Sequence, residues 1–242
     1  MVDLGILDVL QIFGRAGRPQ YEDMGVSYIC TSGEKLPHYI ESITSAHPIE
    51  STFLRGIVDA LNAEVALGSV TSLDDGISWL GFTYLFTRLC KAPRVYGLDA
   101  HDFEADPTLT QRRRQWITYA ANILAQHQMV EFDLAAGTLR PTNMGRIASR
   151  YYLSHKTVGV FHERLRNNLV EADALSLMSR AADFDQIPLR ESEEEELTSL
   201  LESVPCEVDG GTATAPGKVN ILLQAHISYL SLIHISEPTR LR

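Results

Sequence analysis

Apolar positions in this chain recur mostly at helical spacing, with one short interval of strand-like alternation. Residues 3–13 predict a short helix whose apolar face is interrupted by Asp8 and Gln11, and residues 14–19 (GRAGRP) break it. Residues 26–30 (VSYIC) are β-branched and aromatic and predict a strand entered through Gly25. Residues 34–44 predict a second helix. Helix, strand and helix in this order form the closing edge of an α/β domain.

His47-Pro48 marks a boundary, with Pro48 suited to the first turn of a new helix. Phe53, Leu54, Ile57, Leu61 and Val65 then predict a helix closed by Gly68. Ser72 and Asp75 resemble a capping box and open a helix through Lys91. That helix is apolar nearly all round, so it is expected to be buried, and Pro93 ends it. Asp106-Pro107 supplies an N-cap acid and an N1 proline for the next helix, with Trp116, Ile117, Ala120, Ile123 and Leu124 inward. Strands at 129–132 and 138–140 flank the turn Ala135-Ala136-Gly137, and Thr142 caps a helix to about Leu153. Helices followed by a small hairpin make a winged helix, and the helix after the hairpin points to passage into another domain. Helices are predicted over 158–204, with Ser192 and Glu195 as a capping box. A Gly/Pro/Thr-rich loop at 208–218 precedes a last helix over 219–227. The expected fold is mainly α with small β content.

Composition narrows the class. Apolar residues make up 45% of the 242, as in a folded domain. No apolar run approaches the roughly 20 residues of a membrane span, so no membrane partner is expected. The first residues lack the basic and apolar regions of a secretory signal. Cys30, Cys90 and Cys206 are distant and form no C-x-x-C pair, which predicts inert thiols in a reducing, intracellular compartment. His38, His47, His101, His127, His155 and His162 show no ligand spacing, so no metal site is expected. The net charge of −10 is local: residues 171–209 hold 2 Lys/Arg against 12 Asp/Glu, whereas residues 1–170 hold 16 against 18. The run 191–196 (ESEEEE) reads as a solvated helix start. Arg112-Arg113-Arg114 fans around its helix and reads as surface, and Trp79 and Trp116 read as core.

One segment carries chemistry. Gln11-Ile12-Phe13-Gly14-Arg15-Ala16-Gly17-Arg18-Pro19 sets two arginines three apart on a sharp corner after a helix. Glycines at 14 and 17 allow close backbone approach. The planar, permanently charged guanidinium fork suits phosphate, and in phosphoryl transfer such an arginine is worth about 10³–10⁵ in rate. Arg146 and Arg150, one helical turn apart beside the hairpin, are candidate phosphate contacts or a solvated face.

Q-x-x-G-R-A-G-R-P resembles motif VI of superfamily-two DExH-box helicases. Pro48-Ile49-Glu50-Ser51, Leu61-Asn62-Ala63-Glu64, residues 79–85 (WLGFTYL), residues 145–152 (GRIASRYY) and residues 219–224 (VNILLQ) extend the resemblance to the large RNA helicases with tandem cassettes. Residues 183–187 (DFDQI) lie closer to the signal cointegrator type than to the spliceosomal type. The resemblance implies four parts: residues 1–46 as the C-terminal end of the second RecA-like domain, 47–150 as a winged helix, 151–229 as the start of a helical bundle, and 230–242 as a non-native, adapter-derived tail. It implies that Arg15 and Arg18 contact the γ-phosphate of ATP, Arg18 as the finger, with Gln11 and Gly14 in the same nucleotide-binding corner. ATP and Mg²⁺ are expected for the full-length protein and neither for this piece alone, because it contains no G-x-x-x-x-G-K-[ST] loop and no D-E-x-H box. The expected partners are RNA or DNA, a first RecA-like domain, and subunits of a nucleoprotein, coactivator or ribosome-associated complex in the nucleus or cytoplasm. Two rival readings are a non-catalytic helicase-like cassette that scaffolds other proteins and a free-standing winged-helix nucleic-acid binder.

Overall fold

The computed structural model describes residues 6–17, 20–21, 24–44 and 49–229. The chain divides into two compact units, Met1–Glu50 and Ser51–Arg242. Pro48 and the tail from residue 230 lie outside the described residues.

The first unit holds helix α1 (Ile6–Phe13) and helix α2 (Leu36–Thr44), which pack against each other. Val9 and Tyr39 are its buried apolar side chains among the described residues. The strand expected at 26–30 does not form; these residues pair with no described strand. Their β-branched composition favours extended backbone, yet a strand also needs a neighbour to bond, and the described residues of this unit offer none.

The second unit is built on helix α3 (Ile57–Leu67), helix α4 (Leu73–Gly81) and helix α7 (Thr110–Gln126), with α7 packed against both others. A 3₁₀ turn at Phe53–Gly56 precedes α3, so the periodic stretch begins as a tighter helix than its spacing predicts. Gly68 closes α3 in the left-handed region at φ 82°, as a C-cap glycine should. Leu61, Leu80, Ile117, Ala120 and Leu124 are fully buried between these helices. Each large side chain among them is worth about 1.5–3 kcal/mol of burial.

The long helix expected from Ser72 to Lys91 is two helices, α4 and α5 (Tyr84–Lys91). Ser72 does cap α4, accepting from the Asp75 amide at 3.2 Å. Thr83 makes the break: its hydroxyl donates to the Leu80 carbonyl at 2.7 Å and accepts from the Phe86 amide at 3.4 Å. It serves one helix end and the next start together, and the bend carries Phe82 into solvent at 91% exposure. The expectation of an all-round buried helix fails there. A helix absent from the sequence reading, α6 (Ala100–Ala105), follows. Consequently α7 starts at Thr110 rather than at Pro107, although the Asp106 carboxylate still accepts from the Gln111 amide at 2.6 Å.

Strands β1 (Val130–Asp133) and β2 (Thr138–Pro141) form an antiparallel hairpin, with Val130 opposite Pro141 and Asp133 opposite Thr138. The Leu73 amide donates to Gly137 and the Leu139 amide to Thr71, both at 2.8 Å, so residues 71–73 add a rudimentary third strand. Thr142 caps helix α8 (Asn143–Tyr151), accepting from the Gly145 amide at 3.0 Å. Gly145 lies so close to the Met129 carbonyl that any Cβ would collide with it. Asn62 of α3 donates to the Gly145 carbonyl at 3.0 Å and ties the two helices together.

Helices α9 (His155–Arg164), α10 (Glu171–Met178), α11 (Glu194–Leu201) and α12 (Ala215–Ile227) complete the unit. Leu197, Val208 and Ile221 form a second, smaller core. Glu193, not Ser192, stands at the N-cap of α11, after a 3₁₀ turn, so the expected capping box is not made. Nor is the acidic run wholly solvated. Glu193 and Lys218 of α12, each 1% exposed, form a buried ion pair, and Lys218 Nζ also donates to the Pro188 carbonyl at 2.8 Å. Helix α12 starts four residues earlier than expected, because Thr214 caps it with Pro216 in its first turn.

Candidate nucleotide and nucleic-acid contacts

Helix α1 ends in a corner. The amides of Gly14, Arg15 and Ala16 donate back to Leu10, Ile12 and Phe13 at 2.9, 3.0 and 2.9 Å, tightening the last turn. Gly17 then adopts φ 110°, outside the range of most L-residues. The backbone of Gly25 returns against the Ala16 carbonyl with no space for a side chain, which closes the corner from the other flank. Beneath it, Val9, Ile12, Phe13, Tyr28, Ile29 and Tyr39 line a small cavity of about 160 Å³.

Arg15 stands on this corner exposed to solvent, its guanidinium making no hydrogen bond or ion pair to another described residue. Gln11 and Gly14 are exposed on the same helix end. Three of the four corner residues of the motif are therefore close in the chain and open to a ligand. Arg18 lies outside the described residues.

The arginines of α7 behave differently. Arg113 is half-buried; its guanidinium donates to the carbonyls of Ile77 at 2.6 Å and Thr108 at 3.1 Å and lies 4.9 Å from the Phe86 ring centre. Gly81 leaves the space it occupies. Arg114 pairs with Asp74 at 2.7 Å, and Arg112 lies over Trp116 at 5.7 Å. The surface reading of this run fails for Arg113, which instead bonds the Ile77 carbonyl in the middle of α4. In a helix-turn-helix protein the helix before the hairpin reads the nucleic acid. Here its basic start is spent internally. The hairpin tip offers no cation either, since residues 133–137 are DLAAG. Trp79 and Trp116 are only partly buried but do pack against the core.

Arg146 and Arg150 are both exposed on α8. Three histidines that look scattered in sequence come together: His127 and His155 have ring centres 6.0 Å apart, and His162 shares the wall of an open cleft with His127. The Asp59 carboxylate accepts from the His155 amide at 2.6 Å and meets its ring at 3.0 Å. Burial, reinforced by His155, holds the His127 imidazole below its ordinary pKa. Sequence spacing could not reveal this group, because His127 follows α7 whereas His155 and His162 lie on α9. No cluster of three or more metal-donor side chains exists among the described residues. The three cysteines are unpaired thiols, with Cys30 and Cys90 exposed.

Comparison with known proteins adds identity to this geometry. Residues 50–125 match a winged helix-turn-helix domain family, and residues 141–236 match the Sec63 Brl domain family. Over 229 residues, 94% of its length, the chain is 44% identical to activating signal cointegrator 1 complex subunit 3 of Homo sapiens. Over the same length it is 45% identical to the RQC trigger complex helicase SLH1 of Saccharomyces cerevisiae. It is 41% identical over 227 residues to the DExH-box ATP-dependent RNA helicase DExH14 of Arabidopsis thaliana. The chain spans only about 10–12% of the length of these relatives. The resemblance read from its motifs, to DExH-box helicases of the signal cointegrator type, is thereby shown.

Proposed function

We propose that this chain is the stretch of an ATP-dependent RNA helicase that closes the second RecA-like domain and continues through the winged helix into the following helices. The observation that carries this reading is the free guanidinium of Arg15, set on a rigid glycine corner in a sequence similar to such helicases almost throughout.

A corner of this kind fits one edge of a nucleotide phosphate. Tightened helix-end hydrogen bonds fix the backbone, so binding has to order the Arg15 side chain but not the corner that carries it. Arg15 and Arg18 reach the γ-phosphate of ATP, Arg18 as the finger, and balance the charge that spreads over the transferred phosphoryl oxygens. Gln11 and Gly14 complete the contact. ATP hydrolysis supplies the free energy for movement, and the phosphate loop and Mg²⁺ ligands belong to a first RecA-like domain outside this sequence. The winged helix braces rather than reads. Its locked α7 arginines also disfavour a free-standing nucleic-acid binder.

The protein is expected to work in the nucleus, the cytoplasm or both, within a larger assembly. Complexes akin to the activating signal cointegrator 1 complex and the RQC trigger complex are the candidates, from the names of its relatives. The test is full-length protein carrying Arg15→Ala or Arg18→Ala. RNA-stimulated ATPase should fall at least about 10³-fold, with RNA affinity within a factor of about three. Unchanged turnover would overturn the assignment and favour a scaffolding cassette.

A further inference from the structure

The chain carries a net charge of −10, yet between Asp133 and Glu163 it contains no carboxylate. That interval holds Arg140, Arg146, Arg150 and Lys156, all exposed. Arg140 stands opposite Glu131 across the hairpin, which offsets its charge. Arg146, Arg150 and Lys156 have no acid within their own interval. Arg146 and Arg150 share one face of α8, one turn apart.

Aromatic surface accompanies this charge. Tyr151 is 65% exposed and Tyr152 91% exposed, and the Arg150 guanidinium lies 6.0 Å from the Tyr151 ring centre. Tyr152 ends α8 in the left-handed region, at φ 57° and ψ 34°. That backbone is costly for a residue with a Cβ. Leu109 adopts a similar φ of 51° but is 1% exposed, so burial compensates it. At Tyr152 no burial does.

We propose that α8 and the turn after it form a contact site for single-stranded RNA, resting on the helicase reading above. Arg146, Arg150 and Lys156 take the phosphates, and Tyr151 and Tyr152 offer ring faces on which unpaired bases stack. A duplex keeps its bases stacked on each other, so tyrosines held out in solvent serve a single strand and not a double one. Stacking accepts any base, so the site holds RNA without reading sequence.

The test is fluorescence anisotropy of the chain with labelled oligouridine of about 16 nucleotides, titrated at low and moderate salt, with an RNA duplex alongside. Wild-type chain should prefer the single strand at least about tenfold. Arg146→Ala with Arg150→Ala should lower the log–log salt slope by about 1.4, the release expected for two phosphates on a single strand. Tyr152→Gly should weaken binding about tenfold at unchanged slope, since stacking is uncharged, while raising Tm as the backbone strain is relieved. A structural role for Tyr152 would not combine higher stability with weaker binding.

Absent binding, duplex preference, or unchanged affinity in both variants would overturn the site. A fall in Tm with unchanged RNA affinity would also overturn it and would mean that this face packs against protein. Each of these failures leaves the Arg15 ATPase result untouched, so the two readings fail separately.

Discussion

Arg15 and Arg113 carry the same guanidinium and follow the same kind of sequence cue, a local cluster of arginines, yet the molecule uses them in opposite ways. Arg15 projects from a corner whose backbone is fixed by its own turn and by Gly25, and its charge meets no partner among the described residues. Arg113 lies in a slot left by Gly81, with carbonyls of Ile77 and Thr108 as acceptors and the Phe86 ring beneath. The difference is where the backbone is satisfied. At the corner the helix end closes its own hydrogen bonds, so the side chain is free for a ligand. In α4 the mid-helix Ile77 carbonyl accepts from the arginine. Charge in a basic run therefore signals ligand binding only after the nearby carbonyls have been accounted for.

The sharpest way to break this contrast is to remove a locked charge. Lys218→Ala would leave the buried Glu193 carboxylate with only its longer contact to Arg190, at 3.7 Å, at a cost toward the lower end of about 3–5 kcal/mol. Urea unfolding should show that loss, and Lys218→Met with Glu193→Leu should recover most of it, because removing both charges removes the unpaired one. A double variant no more stable than Lys218→Ala would refute the pairing as the cause. Gly145→Ala comes next. Its Cβ would collide with the Met129 carbonyl and press on Asn62, so about 1–3 kcal/mol should be lost by overpacking. Wild-type stability in that variant would mean α8 can slide away from the hairpin.

Locally encoded features were legible from the residues alone. Gly68, Ser72 and Thr142 end or begin helices where their chemistry indicates, and the hairpin falls within one residue of its expected place. The motif corner was legible too, as a helix followed by a glycine-bounded turn. What escaped depended on distant partners. Residues 26–30 have strand composition but no strand beside them. Thr83 looked like one more residue in an apolar helix, although its hydroxyl splits that helix in two. Glu193 was one of five similar glutamates until α12 brought Lys218 to it. Thr214 was a missed local signal, since Thr-Ala-Pro-Gly has the cap-and-proline form applied at Asp106-Pro107. Asp106 shows the limit of that form. It caps from outside the helix, across Leu109 in the left-handed region.

Exchanging the two arginines' fates is a smaller, more direct test. Arg113→Ala should cost about 1.5–3 kcal/mol, the range for hydrogen bonds made by a charged group. Arg15→Ala should change stability by less than about 0.5 kcal/mol, as for an exposed side chain without partners. Equal losses would erase the distinction between a presented and a locked guanidinium.

The smallest effect concerns the histidines. His127 sits half-buried beside His155, with Glu163 drawing its pKa up and His162 pressing it further down, and the balance lies below the ordinary value of 6.5. In the unfolded chain the imidazole takes up its proton at that ordinary value, so on acidification the unfolded state binds the proton first. Stability from this group is therefore fully present above pH 6.5 and is lost as pH falls from there through the lower folded-state pKa. Gly159 leaves the space in which the His127 ring lies, so His127→Asn removes the titration with little change in volume. Stability of the wild-type chain should drop on acidification below pH 6.5 by more than that of His127→Asn. Parallel pH profiles for the two would place the sensitivity elsewhere.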